Sequence, residues 1–150
     1  MGNSVMHTFE RDRAESTGKL RPASRPIDMM HLAAQSLGDR GLELEILRMY
    51  DQIVAVHFER LMVATGTPDL LQHLHTLKAA STGVGAWSLA EHAHVMESEL
   101  KAGEAVNSES IADIHMAVVE VRDFIAERIA YDEAELNDTD ATQTLSASIG

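Results

Sequence analysis

The sequence predicts an all-α protein, an antiparallel up-down four-helix bundle with a short extra helix on its N-terminal side. Along four long segments, apolar residues recur at alternating spacings of three and four, which is the period of a helix face. Glycine and proline mark short turns between these segments, and no segment alternates apolar and polar residues as a strand does. The chain has 150 residues, 45% of them hydrophobic, enough for one domain with a single core.

Each long helix follows from its apolar stripe and from the residues at its ends. Asp39 is placed to cap the first, and Pro68 suits the first turn of the second. Gly83 and Gly85 form the corner before the third, and Asn107 or Ser108 caps the fourth. The four stripes are Leu47, Tyr50, Val54, Phe58, Leu61; Leu70, Leu74, Leu77, Ser81, Val84; Ala86, Leu89, Ala93, Met96, Leu100; and Ile111, Ile114, Val118, Val121, Ile125.

Composition divides the chain into three parts. Residues 1–26 are polar, carry a net charge of +2 and end on two prolines, so we expect a flexible leader. Residues 27–131 hold the bundle, beginning with a short helix that would bury Ile27, Met30 and Leu37. Residues 132–150 contain five acidic and no basic residues, which predicts a disordered acidic tail.

Charge and composition also limit the functions to be considered. The net charge of −12 argues against binding to nucleic acid. There is no apolar run near 18 residues and no secretory h-region, so we expect neither a membrane span nor export. The absence of cysteine is compatible with the cytoplasm, where we place the protein. Since each helix has one core stripe to bury, we expect a monomer.

The residue of greatest chemical interest is His75. On a helical wheel its side chain lies about 140° from the centre of the stripe formed by the second helix, and therefore faces solvent. Lys78 follows one turn later, and Leu71, Ala79 and Thr82 surround the histidine on the same outer face. A neutral imidazole is a good nucleophile near neutral pH, and a phosphorylated ring needs such exposure because it gains negative charge.

The order of residues around His75 resembles the histidine-containing phosphotransfer (HPt) family. The family signature has a hydrophobic residue two positions after the histidine, a lysine three after, and glycines four and ten after. Leu77, Lys78 and Gly85 match, while Ala79 departs from the expected glycine. Residues 37–50 are similar to the helix that precedes this motif, so the resemblance covers roughly residues 28 to 130.

The resemblance implies a free-standing phosphorelay intermediary. His75 would accept a phosphoryl group from a receiver-domain aspartate or a sensor histidine kinase and pass it to another receiver aspartate. Lys78 would stabilise the phosphoryl oxygens, and Leu71, Ala79 and Thr82 would form the docking surface. Mg²⁺ would belong to the receiver, and the chain would hold no metal or other cofactor of its own. No phosphate-cradling loop is present, so the chain would not use ATP unaided.

Two alternatives remain beside this interpretation. The chain could be a degenerate HPt bundle that docks receivers without carrying phosphate. It could also be a metal-binding bundle, because Glu91 and His94 have the Glu-x-x-His spacing of di-iron bundles. Against the second alternative, the wheel places both residues away from the apolar stripe, and a second such motif is missing. The role of Trp87, near a helix start, stays open.

Overall fold

The structure is a computed structural model that describes the backbone of residues 25–149 and the side chains of residues 25–139. This part of the chain is all-helical and contains no β-strand, as predicted. None of its helices is both long enough and apolar enough to cross a membrane. Of the predicted leader, residues 1–24 lie outside the described range. Residues 25–149 form five helices: α1 (Met29–Gln35), α2 (Arg40–Val63), α3 (Thr67–Val84), α4 (Trp87–Lys101) and α5 (Ser108–Ile149).

The stripes of the four long helices meet in one core. α3 packs against both α2 and α4, α5 also packs against α2 and α4, and α1 rests on α3. The predicted stripe residues are buried, except that Phe58 and Ile111 are half-buried at the edge of the core. Burial of each large apolar side chain contributes roughly 1.5–3 kcal/mol, which makes this core the main source of stability.

Helices α2 and α5 begin, and α3 ends, at the residues that the sequence indicates. Asp39 accepts a hydrogen bond from a backbone N–H of the first turn of α2 at 3.1 Å. Asn107 does the same for α5 through the N–H of Glu109 at 2.8 Å. Gly85 ends α3 in the left-handed conformation, with φ of 84°. Its left-handed φ favours glycine, and a Cβ at this position would also make a tight contact of 3.1 Å with the Cβ of Asp28.

α1 is fastened to the corner between α3 and α4. Asp28 caps α1, donates its backbone N–H to the carbonyl of Gly85 at 2.9 Å, and accepts a hydrogen bond from Nε1 of Trp87 at 3.1 Å. The ring of His31 meets Trp87 edge-on at 4.9 Å between centroids, and its Nε2 lies 3.1 Å from the carbonyl of Gly83. Trp87 therefore holds α1 in place, a role that the sequence left open.

The face of α1 that meets the core differs from the prediction. Ile27 and Leu32 are fully buried, whereas Met30 and Leu37 are exposed. α1 has only seven residues, about two helical turns, so its apolar periodicity is too short to determine which face packs on the core. The contacts at its cap determine its orientation instead. Leu37 lies beyond the helix with φ of 55°, in the turn that leads to Gly38.

α5 continues where the sequence predicted a disordered tail, so the predicted boundary after residue 131 must be corrected. Asp132 is almost fully buried, 3.0 Å from Nη2 of Arg40 and 3.2 Å from Nε of Arg128. Glu135 also pairs with Arg40 at 2.8 Å, and Glu133 pairs with Arg48 of α2. Acidic composition suggested disorder, but these carboxylates join α5 to the arginines of α2.

Candidate functional site

His75 lies on the outer face of α3, as the helical wheel predicts. Its side chain is 68% exposed, while its neighbours Leu74 and Leu77 are fully buried. The alternation follows from the helical period, which turns adjacent positions about 100° apart. A protein partner can therefore reach the imidazole without any rearrangement of the core.

A buried carboxylate on α4 lies directly beside this histidine. The side chain of Glu97 is only 4% exposed, and its Oε1 accepts a hydrogen bond from Nζ of Lys78 at 2.5 Å. Its Oε2 lies 3.5 Å from Nδ1 of His75, and Nζ of Lys101 lies 3.7 Å from Oε1. We call these four side chains the His75 cluster.

Opposing effects set the ionisation of Glu97. Burial by itself raises the pKa of this carboxyl group, because the charged form loses contact with water. The hydrogen bond and charge of Lys78, with the charges of Lys101 and His75, outweigh burial and hold the pKa of Glu97 below its ordinary value. The carboxylate is therefore ionised at neutral pH. One carboxylate against two ammonium groups gives the cluster a local charge of +1 in a strongly acidic chain.

The position of Glu97 also orients the ring of His75. An ionised carboxylate facing Nδ1 favours the tautomer that carries its proton on Nδ1. Nε2 then keeps its lone pair and can act as a nucleophile. The distance of 3.5 Å is at the outer limit of a hydrogen bond, so the carboxylate acts mainly through its charge.

The residues predicted to form a docking surface lie around the His75 cluster. Ala79 and Thr82 are exposed, and the hydroxyl of Thr82 donates to the carbonyl of Lys78 at 2.8 Å, which keeps it close to the helix. Gly83 is exposed in the last turn of α3. Leu71 is half-buried and packs against the core, so only part of its side chain is available to a partner.

The other histidines within residues 25–139 form no such cluster. His57 of α2 and His73 of α3 face each other with 3.1 Å between their Nδ1 atoms, and burial, followed by the charge of His73, lowers the pKa of His57. Glu91 and His94, the spacing considered for a metal, are both exposed on α4. Among the described residues, no group of three or more histidine, aspartate or glutamate side chains is arranged to hold a metal ion.

A groove between α2 and α5 lies away from the His75 cluster. It is lined by apolar and charged side chains, among them Phe58, His115 and Arg122. Phe58 and His115 stack at 5.3 Å, and Arg122 is paired with Asp51 at 2.9 Å. The groove contains no member of the His75 cluster, and His75 itself lies on exposed helix surface.

Glu97 and Lys101 are the members of the His75 cluster that the sequence interpretation missed, and Glu97 is the one that the sequence could have indicated. On the wheel of α4 it lies about 60° from the centre of the apolar stripe, where an acidic side chain is unusual unless it is paired. That position was an available signal for a buried ion pair. The partner could not be inferred, because Lys78 approaches from a different helix.

Comparison with protein-family models, with curated protein sequences and with solved structures gave no match to this chain. The functional interpretation therefore depends on the residues and geometry of the chain itself, together with the resemblance at His75.

Proposed function

We propose that this chain is a phosphohistidine carrier of the HPt type. It accepts a phosphoryl group on Nε2 of His75 from a receiver-domain aspartate or a sensor histidine kinase and passes it to another receiver aspartate. The observation that carries this proposal is an exposed imidazole whose Nδ1 faces a buried, ionised Glu97 flanked by two lysines. The proposal includes an antiparallel up-down arrangement of α2 to α5, with α1 as the extra helix, and a cytoplasmic location.

The chemistry assigned to His75 is a reversible displacement at phosphorus. The Nε2 lone pair attacks the phosphorus of an aspartyl phosphate, a P–N bond forms, and the P–O bond to the aspartate breaks. The aspartate leaves as a carboxylate, and the proton on Nδ1 stays in place. Positive charge that develops on the ring during attack is stabilised by the nearby carboxylate of Glu97. The reverse displacement breaks the P–N bond and phosphorylates the next aspartate.

Lys78 and Lys101 compensate the charge of Glu97. Without them, a buried carboxylate 3.5 Å from the ring would repel the incoming phosphoryl group. With them, the cluster has a local charge of +1 before the histidine is modified. The geometry thus assigns Lys78 a role in holding Glu97 in addition to the contact with phosphoryl oxygens that its spacing suggests.

The outer face of α3 beyond His75 suits a protein partner. In-line transfer requires the nitrogen to approach phosphorus within about 3–3.5 Å, so the surface of the donor must come close to the helix. The side chains of Ala79 and Thr82 are small and do not obstruct that approach. The Mg²⁺ required for such a transfer would be bound by the receiver.

Phosphate incorporation tests this proposal. The protein is incubated with a panel of receiver domains that carry labelled phosphate on aspartate, and the label is followed to the purified carrier. Wild type and a His94→Gln control, which changes an exposed histidine on α4, should both be labelled. His75→Gln should stay unlabelled while it keeps its helical circular dichroism. Labelling of His75→Gln at the normal rate would refute the proposal.

The stability of the label separates a phosphoramidate on histidine from a phosphate ester on a hydroxyl. Phosphate on a histidine nitrogen should survive base and be lost in acid, while label on a hydroxyl would be stable in acid. Saturable receiver binding without any label would instead identify the degenerate docking bundle. Incubation with ATP and Mg²⁺ alone should leave the protein unlabelled.

A further inference from the structure

α2 carries a second apolar stripe, most of which does not contribute to the core; of its residues, Ile46 packs against the edge of the core. Four of its residues follow each other at intervals of seven, and all remain exposed, with between 41% and 71% of their surface accessible: Leu42, Met49, Val56 and Val63. Ile46 and Ile53 lie between them and are half-buried. Exposed apolar residues scattered singly are normal, but a regular row along one helix is not.

The spacing of this row is that of a coiled-coil seam. If Ile46, Ile53 and Arg60 are assigned to position a of a heptad, the four exposed residues all occupy position d. The row continues through three heptads along a helix of 24 residues, about 36 Å long. It is centred about 120° from the core stripe of α2, taking about 100° per residue. We call this row the α2 seam: Leu42, Ile46, Met49, Ile53, Val56, Arg60 and Val63.

Two charged residues near the ends of the α2 seam favour a second copy of α2 as its partner. Glu45 lies near its N-terminal end and Arg60 near its C-terminal end, and neither forms an ion pair within the described part of the chain. A second α2 in antiparallel orientation would bring Arg60 of one copy close to Glu45 of the other at both ends. Parallel pairing would instead place each arginine beside its own equivalent.

We propose that the α2 seam pairs antiparallel with the α2 seam of a second copy, forming a two-fold symmetric homodimer. The sequence predicted a monomer because only one stripe was assigned to each helix. The seam lies toward the side of α2 where His57 meets His73 of α3. His75 and Lys78 occupy the opposite flank of α3, against Glu97 of α4. The dimer therefore leaves both His75 clusters accessible, and it does not depend on the proposed phosphotransfer.

Sedimentation equilibrium of the full chain tests the dimer. Wild type should show a concentration-dependent monomer–dimer equilibrium below about 1 mM protein, the upper end of specific association. Met49→Glu and Val56→Glu place a charge at the centre of the seam and should each weaken association at least about tenfold. Met116→Glu, at an exposed apolar position on α5, is the matched control and should dimerise like wild type.

A monomeric wild type over this range would overturn the proposal. If removal of residues 1–24 then produced a dimer, the leader and not a second copy would be the occupant of the seam. Equal weakening by Met116→Glu would also overturn it, because association would then not depend on α2.

Single cysteines test the orientation, since the chain has none of its own. Gln52→Cys, near the midpoint of the seam, should form a disulfide with its own copy. Leu42→Cys alone should not, but should crosslink to Val63→Cys when the two variants are mixed. Efficient self-crosslinking by Leu42→Cys would indicate parallel pairing and overturn the antiparallel arrangement.

Discussion

Replacing Lys78 by methionine should show how much its pairing with Glu97 contributes to the free energy of unfolding. Lys78→Met keeps the apolar stem of the side chain but removes the ammonium group that lies 2.5 Å from Glu97. Leaving a fully buried charge unpaired costs about 3–5 kcal/mol. Here Lys101 remains 3.7 Å from the same oxygen, and Lys78 is itself partly in water. We therefore expect a loss of about 2 kcal/mol in the free energy of unfolding at pH 7.

The loss should depend on pH in a defined direction. In the wild type the pKa of Glu97 is held below its ordinary value of 4.5, so its contribution is present above that value and disappears as pH falls through the native pKa. Without Lys78, burial raises the pKa of Glu97 relative to wild type, and the variant relieves its unpaired charge by taking up a proton. The difference between variant and wild type should be largest at neutral pH and shrink as the solution becomes acidic.

Urea unfolding followed by circular dichroism, at pH 7 and near the acid end of native stability, measures this difference. Lys101→Met, which removes an exposed and more distant charge, should cost less than about 0.5 kcal/mol. The double variant Lys78→Met with Glu97→Met should be more stable than Lys78→Met alone, because both members of the pair are removed together. A loss that is the same at both pH values would refute this account of Glu97.

Four further outcomes test other parts of the structure. Gly85→Ala should destabilise by at least about 1–2 kcal/mol in urea unfolding, because its φ is left-handed, whereas Gly83→Ala, in open helical space, should stabilise by up to about 1 kcal/mol. Tyr50→Phe should cost about 1–2 kcal/mol, because it leaves a buried serine hydroxyl without its partner. Ala79→Gln should slow phosphoryl transfer from a cognate receiver at least tenfold, about 1.4 kcal/mol of barrier, with unchanged melting. Trp87→Phe should loosen α1 from the bundle, seen as faster amide exchange there, while α5 keeps its protection.

The long helices were predictable because each buries one continuous stripe. The stripe from Leu70 to Val84 is buried at all five predicted positions, and the same period placed His75 outside. A local sequence pattern suffices here, since burial on a long helix repeats every turn or two and errors average out. The caps at Asp39 and Asn107 were equally local features.

Most of the missed features depend on contacts between distant parts of the chain. Glu97 is acidic yet buried, because a lysine 19 positions earlier neutralises it. Asp132 can be buried because it pairs with Arg40, 92 positions earlier, although the polar sequence around Asp132 predicted a disordered tail. In α1, seven residues were too few for periodicity to determine which face packs. A helical wheel gives the direction of each side chain, but it does not show which residue of another helix contacts it.

The two lysines around Glu97 affect the rate at which a partner would associate at His75. At low ionic strength the net charge of −12 acts over tens of ångströms and would slow the approach of any acidic partner, such as the receiver proposed above. Near physiological salt the screening length falls to about 8 Å, so an approaching molecule responds mainly to the charges closest to it. Around His75 those charges are the ammonium groups of Lys78 and Lys101 and the carboxylate of Glu97, which together sum to +1. Association with an acidic partner should therefore become faster as salt is added, opposite to the behaviour of electrostatically steered pairs, and encounters far from His75 should remain unproductive.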